Sequence, residues 1–218
     1  MTATVTEDAT SGDYVTLTSA NETYTDVMWG APYTTAGAIC SALGPTSNAI
    51  GLIFNHKMAQ VIFALKTTTT TADKVVLTGT NTVKLSCKGT GLLRLGDGTV
   101  NGLSTTNVDL STTTTKSYTY TEPGANQTTT NDVCYLFGVV PNQSTSGLPL
   151  SVTLSDGNVY QISDLSKIKV NGGSAITTWE PGKTYIYTLT LKKTGILALV
   201  TAIDWVDITT ENTDVTIK

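Results

Sequence analysis

Arginine is almost absent from this chain: Arg94 stands alone among 13 basic residues. Guanidinium forks are the usual grip on phosphates and carboxylates, so anionic small-molecule ligands are poorly served. Basic charge is scarce altogether, with Lys+Arg 13 against Asp+Glu 17 and a formal net charge of -4. A nucleic-acid surface needs a basic field to displace counterions, and nothing supplies one. Nucleic acid is excluded as a partner. Cysteine is sparse and odd in number: Cys40, Cys87 and Cys134 lie far apart, beside a single histidine, His56. No zinc spacing results, and the reading is of buried free thiols without an intramolecular disulfide. No apolar run approaches the roughly 18 residues of a membrane-spanning helix.

What is abundant is threonine, roughly one residue in five and several times an ordinary share. Its branched Cβ packs well on a pleated sheet while its hydroxyl tolerates water. The composition therefore predicts an all-β protein in which each sheet keeps one solvated face. At 218 residues the chain has the length for one large domain or two small ones.

Strand candidates follow one another with turn signals between them. They are "DYVTLTS" (13–19), "YTDVMWG" (24–30), "KVVLTGT" (74–80), "TVKLSCKG" (82–89) and "GLLRLGDGTV" (91–100), the last turning at Asp97-Gly98. "TNVDLST" and "SYTYTE" follow, then the continuous apolar run "VCYLFGVVP" (133–141), which suits a strand buried on both faces. "PLSVTLSDGNVYQIS" (149–163) is the clearest hairpin, and "EPGKTYIYTLTLKK" with "GILALVTAIDWVDI" closes the series.

The stretch "GLIFNHKMAQVIFAL" (51–65) fits two periods. Ile53, Phe54, Met58, Val61, Ile62 and Leu65 recur at helical spacing, while Leu52, Phe54, His56 and Met58 share one face of a strand. Capping signals before it are weak and the rest of the chain reads as β, so a strand is expected.

Little in the sequence points to catalysis. His56 lacks a nucleophile-elbow "GxSxG" partner motif, and it is read as a packed, hydrogen-bonded structural histidine. Asp97, Asp156, Asp164, Asp204 and Asp207 fall at turns or in the closing strand, and "GDGTVNG" lacks the acid spacing of a calcium loop. Trp29, Trp179 and Trp205 are candidates for a sugar-stacking platform, although buried indoles dominate sandwich cores, and core packing is the reading for Trp179 and Trp205. Asn21, Asn126 and Asn142 open Asn-x-Ser/Thr sequons of the kind a threonine-rich chain produces by chance. "TTAGAIC" before Cys40 has neither the basic segment nor the apolar run of a lipoprotein signal. The opening "MTATVTED" carries no signal and is read as a start downstream of one. No catalytic, cofactor-binding or metal-ligating residue is assigned, and no cofactor is expected.

Four segments, taken in order, resemble the Bacteroides-type fimbrillin family. "TDVMWG" resembles its Asp-apolar-Met/Leu-aromatic element, and "FNHKMAQVIFAL" its Phe-x-His segment. "VVPNQ" with "LSVTLSDGNVYQIS" resembles its late hairpin, and "WEPGKTYIYTLTLKKTGILALVTAIDWV" its closing strands. The resemblance implies transthyretin-like β-sandwich architecture. Residues 1–50 are then the trailing part or leading strands of a preceding β domain, and residues 51–218 a C-terminal sandwich. It implies a non-enzymatic structural or adhesive subunit of a surface fimbria, exported as a lipoprotein to the outer membrane. Stalk subunits of that family are matured at an arginine near the start. The mid-chain place of Arg94 therefore implies an anchor, tip or accessory role. Other fimbrial subunits are the implied partners, joined by strand addition. A host glycan or protein receptor is the alternative partner, and a monomer is expected in isolation.

Overall fold

The computed structural model describes residues 5–6, 13–32, 52–121, 128–170 and 173–205. Fifteen strands run through them. The first five are β1 (Val5–Thr6), β2 (Tyr14–Thr18), β3 (Met28–Pro32), β4 (Leu52–His56) and β5 (Ala59–Thr67). β6 (Thr82–Lys88), β7 (Thr90–Arg94), β8 (Val100–Asn101), β9 (Asn107–Thr112) and β10 (Lys116–Thr121) follow. The series ends with β11 (Thr128–Val139), β12 (Leu150–Thr153), β13 (Val159–Ile162), β14 (Lys183–Lys192) and β15 (Gly195–Asp204). Short 3-10 turns at Thr71–Asp73 and Leu165–Lys167 are the helical elements among the described residues. The all-β sandwich expected from composition and resemblance is what the chain forms.

The core sheet has the order β10-β11-β5-β14-β15. β5 lies at its centre because its residues from Ala59 to Leu65 are apolar, or hydrogen-bonded like Gln60, on both faces. It pairs antiparallel with β11 (Leu136↔Ile62) and parallel with β14 (Ile186↔Ile62). On one face Val61, Phe63, Tyr135, Phe137, Tyr187 and Leu189 meet Val83, Leu85, Cys87, Leu150 and Val152. The latter five belong to a second sheet, β13-β12-β6-β9, whose strict alternation leaves its other face polar. On the opposite face of the core sheet Ile62, Ala64, Cys134 and Ile186 pack with Tyr118 and Tyr120. Each large aliphatic side chain so buried contributes about 1.5–3 kcal/mol.

A third sheet, β1-β2-β7-β8, joins the leading strands to β7 along the register Leu17↔Gly91. It thus draws strands from both sides of residue 50. Leu17, Met58, Leu93, Val100 and Val140 form its small core, against which Val27, Trp29 and Trp205 pack. β3 and β4 form a separate two-stranded ribbon.

Residues 52–65 are extended, as expected, but as two strands parted at Lys57 and Met58, and residue 51 lies outside the described residues. Met58 leaves the ribbon there and enters the small core. Two expected strands need correction. Over 24–30 the strand begins only at Met28, because Tyr24 and Asp26 turn back onto other elements. Residues 74–80 form no strand: Val75 is buried while Val76 is 62% exposed, and Lys74 alone makes an isolated bridge to Lys192. The run at 133–141 belongs to a longer strand that starts at Thr128.

Candidate interaction site

Three of the four resembling segments meet at one place. Asp26 comes from "TDVMWG", His56 from "FNHKMAQ", and Gly182 and Trp205 from the closing stretch. The Asp26 Oδ2 and His56 Nδ1 atoms lie 2.7 Å apart, with both side chains largely withdrawn from solvent. The imidazole stacks flat on the Trp205 indole at 4.5 Å. Trp205 is fixed from the backbone too, its N–H donating to the Gly182 carbonyl at 2.8 Å. The Gly182 N–H donates in turn to the Met58 carbonyl at 2.9 Å, and the Lys57 N–H to the Val27 carbonyl at 2.8 Å. These bonds tie the ribbon, the start of β5 and the end of β15 together.

Tyr24 completes the joint. Its ring meets Trp205 edge-on at 5.9 Å, and it lies across Gly138, where the absence of a side chain on β11 makes room. The Tyr24 hydroxyl accepts from Gln60 Nε2 at 3.0 Å, and Gln60 Oε1 accepts from the Thr184 hydroxyl at 3.1 Å. Gln60 and Thr184 are buried polar groups in the core sheet, and this chain of bonds satisfies them. The relay is architectural. His56 has an acid beside one ring nitrogen and an indole on its face, which is the packed setting the sequence led us to expect.

The other flagged residues are dispersed. Trp179 is fully buried and donates its indole N–H to the Tyr187 hydroxyl at 3.0 Å. Trp29 donates to the Leu95 carbonyl at 3.0 Å and carries the Lys57 ammonium over its ring at 5.1 Å. Trp179 is closed to solvent, while Trp29 and Trp205 are half-buried against the small core. Asp97, Asp156 and Asp164 are turn anchors, accepting from the backbone N–H groups of Thr99, Asn158 and Ser166 respectively. The Thr99 hydroxyl on Asp97, and the Ser166 hydroxyl and Gly147 amide on Asp164, hold both carboxyls below the usual range. Asp204 pairs with Lys183 at the joint. The Asn142 side-chain amide is engaged with the Val100 carbonyl at 2.8 Å, and Asn21 with that of Ser111 at 3.2 Å. Cys87 and Cys134 are free and buried. Cys40, Asn126 and Asp207 lie outside the described residues. Among the described residues no group of three or more His, Cys, Asp or Glu side chains is placed to hold a metal ion.

The sequence matches the Fimbrillin-like family over residues 1–205. The chain belongs to that family. The joint draws on segments between Tyr24 and Trp205 of this fimbrillin-like chain. Among solved structures it is similar to one described as a putative cell adhesion protein from Bacteroides uniformis ATCC 8492. That likeness has 16% identity and a TM-score of 0.53, covering 89% of this chain and 73% of the other. A putative cell adhesion protein from Bacteroides ovatus ATCC 8483 is 14% identical, with TM-score 0.48 and coverage of 94% and 75%. A fimbrial protein from Bacteroides vulgatus ATCC 8482 is also 14% identical, with TM-score 0.47 and coverage of 94% and 72%. At such identities the first likeness speaks to fold. No curated protein matches the sequence. Family membership supports a fimbrial subunit exported to the cell surface and associated with other subunits, a structural and adhesive protein rather than an enzyme.

Asp26, Tyr24 and Gln60 were not singled out from sequence. Asp26 sits inside a quoted family element, which was a usable signal. Tyr24 and Gln60 carried none, because their partners are far away in the chain.

Proposed function

We propose that this fimbrillin-like chain serves at an anchor, tip or accessory position of an outer-membrane fimbria, exported as a lipoprotein, and not as the repeating stalk. It joins neighbouring subunits by strand addition and is a monomer in isolation. The observation that supports the role is the setting of Arg94, the one arginine in the chain. Its N–H donates to the Thr99 carbonyl at 2.9 Å, and β7 pairs it with Tyr14 of β2. The next residue, Leu95, donates its N–H to the Asp13 carbonyl at 2.9 Å. Proteases favour exposed, unpaired loop tips, and the Arg94–Leu95 bond, although it opens the turn after β7, has both flanking N–H groups held by backbone carbonyls, which resists them. Stalk-type maturation at an arginine therefore has no suitable substrate within these residues.

The test has two readings. Arginine-specific digestion of the folded protein should leave the Arg94–Leu95 bond intact. Immunogold labelling of fimbriae should then place the protein at one end of the shaft or sparsely upon it. Gold at regular intervals along the shaft, or polymerisation triggered by cleavage at Arg94, would overturn the proposal.

A further inference from the structure

The outward face of the β13-β12-β6-β9 sheet carries a groove of about 550 Å³. Its shape follows from side-chain length. Ser151 on β12 and Ser86 on β6 are short and stand on the two inner strands, so they form a shallow floor. Gln161, opposite Ser151 on the edge strand β13, and Asp109, opposite Ser86 on the edge strand β9, are longer and rise as walls. Lys84 crosses the middle, its Nζ 2.8 Å from Asp109 Oδ2. Ser163 and Pro149 close one end.

The chemistry of this lining narrows what it can hold. Ligand pockets for apolar molecules are lined mainly by hydrophobic side chains, whereas hydroxyl, amide, ammonium and carboxylate groups dominate here. The Lys84–Asp109 pair cancels its own charge, and no arginine is near, so neither a phosphate nor a carboxylate gains a net attraction. A cation would face one carboxylate already satisfied by an ammonium. What remains is a neutral ligand dense in groups that both donate and accept. Ser151 offers a hydroxyl of both senses, Ser86 the lone pairs of a hydroxyl that donates to Asp109, Gln161 an amide of both senses, Lys84 donors and Asp109 acceptors. Vicinal hydroxyls of a pyranose ring present that alternation along one edge.

We propose that this groove is a binding site for neutral pyranose sugars, recognised by hydrogen bonds alone. The site goes beyond the subunit role and does not depend on it, since a single isolated chain contains the whole groove. Asp109 is suited to accept from a sugar: its half-exposed carboxyl is ionised at neutral pH, and the Lys84 ammonium and the Ser86 hydroxyl lower its pKa further. With no aromatic ring in the lining, binding is weak and fast, in the millimolar range.

The experiment is a titration of the isotope-labelled, isolated chain followed by amide chemical shifts. Methyl β-galactoside, methyl α-mannoside and N-acetylglucosamine serve as probes. At least one should give saturable shifts centred on Ser86, Asp109, Ser151 and Gln161. Ser151→Phe fills the floor with a side chain that strands accept, and should weaken that binding about tenfold or more. Asp109→Asn keeps the shape but removes the acceptor charge, and should weaken it as well. If Ser151→Phe loses the native spectrum, Asp109→Asn alone decides. Absence of saturable shifts with all three sugars, or equal shifts in wild type and the folded variants, would overturn the site. Because the protein is tested as a monomer, that result would leave the fimbrial role untouched.

Discussion

The His56 imidazole and the Trp205 indole lie face to face, their planes 2° from parallel, although one belongs to β4 and the other follows β15. Asp26 fixes the edge of the imidazole and Tyr24 meets the indole edge-on, so neither ring can turn without breaking a further contact. Stacked rings of this kind contribute about 0.5–1.5 kcal/mol beyond the area they bury. His56→Ala and Trp205→Ala should each destabilise the protein, and the double variant should lose less than the sum by about that amount. Urea unfolding of the four proteins measures it. Additivity within about 0.3 kcal/mol would show the rings to be independent.

Gly138 is the seat of the same joint. A Cβ placed there would overlap the Tyr24 ring, which lies directly on the β11 backbone. Gly138→Ala should therefore destabilise by about 1–3 kcal/mol, as overpacking does. Truncating the obstructing ring should make the alanine harmless, so Gly138→Ala should cost little in a Tyr24→Ala background. An equal cost in both backgrounds would mean that the strand, not the ring, demands glycine.

How much of this was legible beforehand depends on whether the cause is local. The β6 strand and the β12–β13 hairpin were readable because one buried face imposes strict alternation, and a turn with Gly157 at φ 87 joins the hairpin arms. "KVVLTGT" misled because its β-branched run suits a strand, yet the Thr67 hydroxyl bonds both the N–H and carbonyl of Val75, and Asn81 accepts from the Ser155 N–H. Side chains there satisfy backbone that a ladder would otherwise claim. The parallel β5–β14 pairing left no trace in sequence, since period two says nothing of which strand lies alongside. The joint stayed hidden for the same reason: Asp26, His56 and Trp205 acquire meaning only when distant segments come together.

Trp179 and Tyr187 form a buried pair whose members depend on one another. Trp179→Phe removes the donor and leaves the Tyr187 hydroxyl without it inside the core. Orphaning a buried polar group costs about 1–3 kcal/mol, on top of the smaller ring's lost contacts. Adding Tyr187→Phe removes the stranded hydroxyl, so the double variant should recover part of the loss. Thermal or urea unfolding would show this as a double variant more stable than Trp179→Phe alone. A double variant less stable than both singles would refute the pairing.

The last expectation concerns alkaline pH. Burial pushes the Cys87 thiol from its ordinary value of 9.0 up to about 12, and that of Cys134 to about 11. Burial also raises Tyr187 above the usual tyrosine value. For each group the folded state holds its proton more tightly than the unfolded chain does. Between the two values the unfolded chain therefore has fewer bound protons, and stability must fall as pH rises. The contribution is complete below about pH 9 and disappears as pH climbs through the folded value, with a limiting slope of about 1.4 kcal/mol per unit and per group. Other groups titrate in the same range, so Cys87→Ala is the control that isolates one thiol. From about pH 8 to about pH 11 the wild-type protein should lose stability faster than Cys87→Ala, measured by urea unfolding at each pH. Near pH 8 a thiol reagent should leave Cys87 and Cys134 unmodified in the folded protein, because the reactive species is the thiolate and burial suppresses it. Parallel pH profiles for the two proteins would show that the Cys87 thiol is not held neutral by the core.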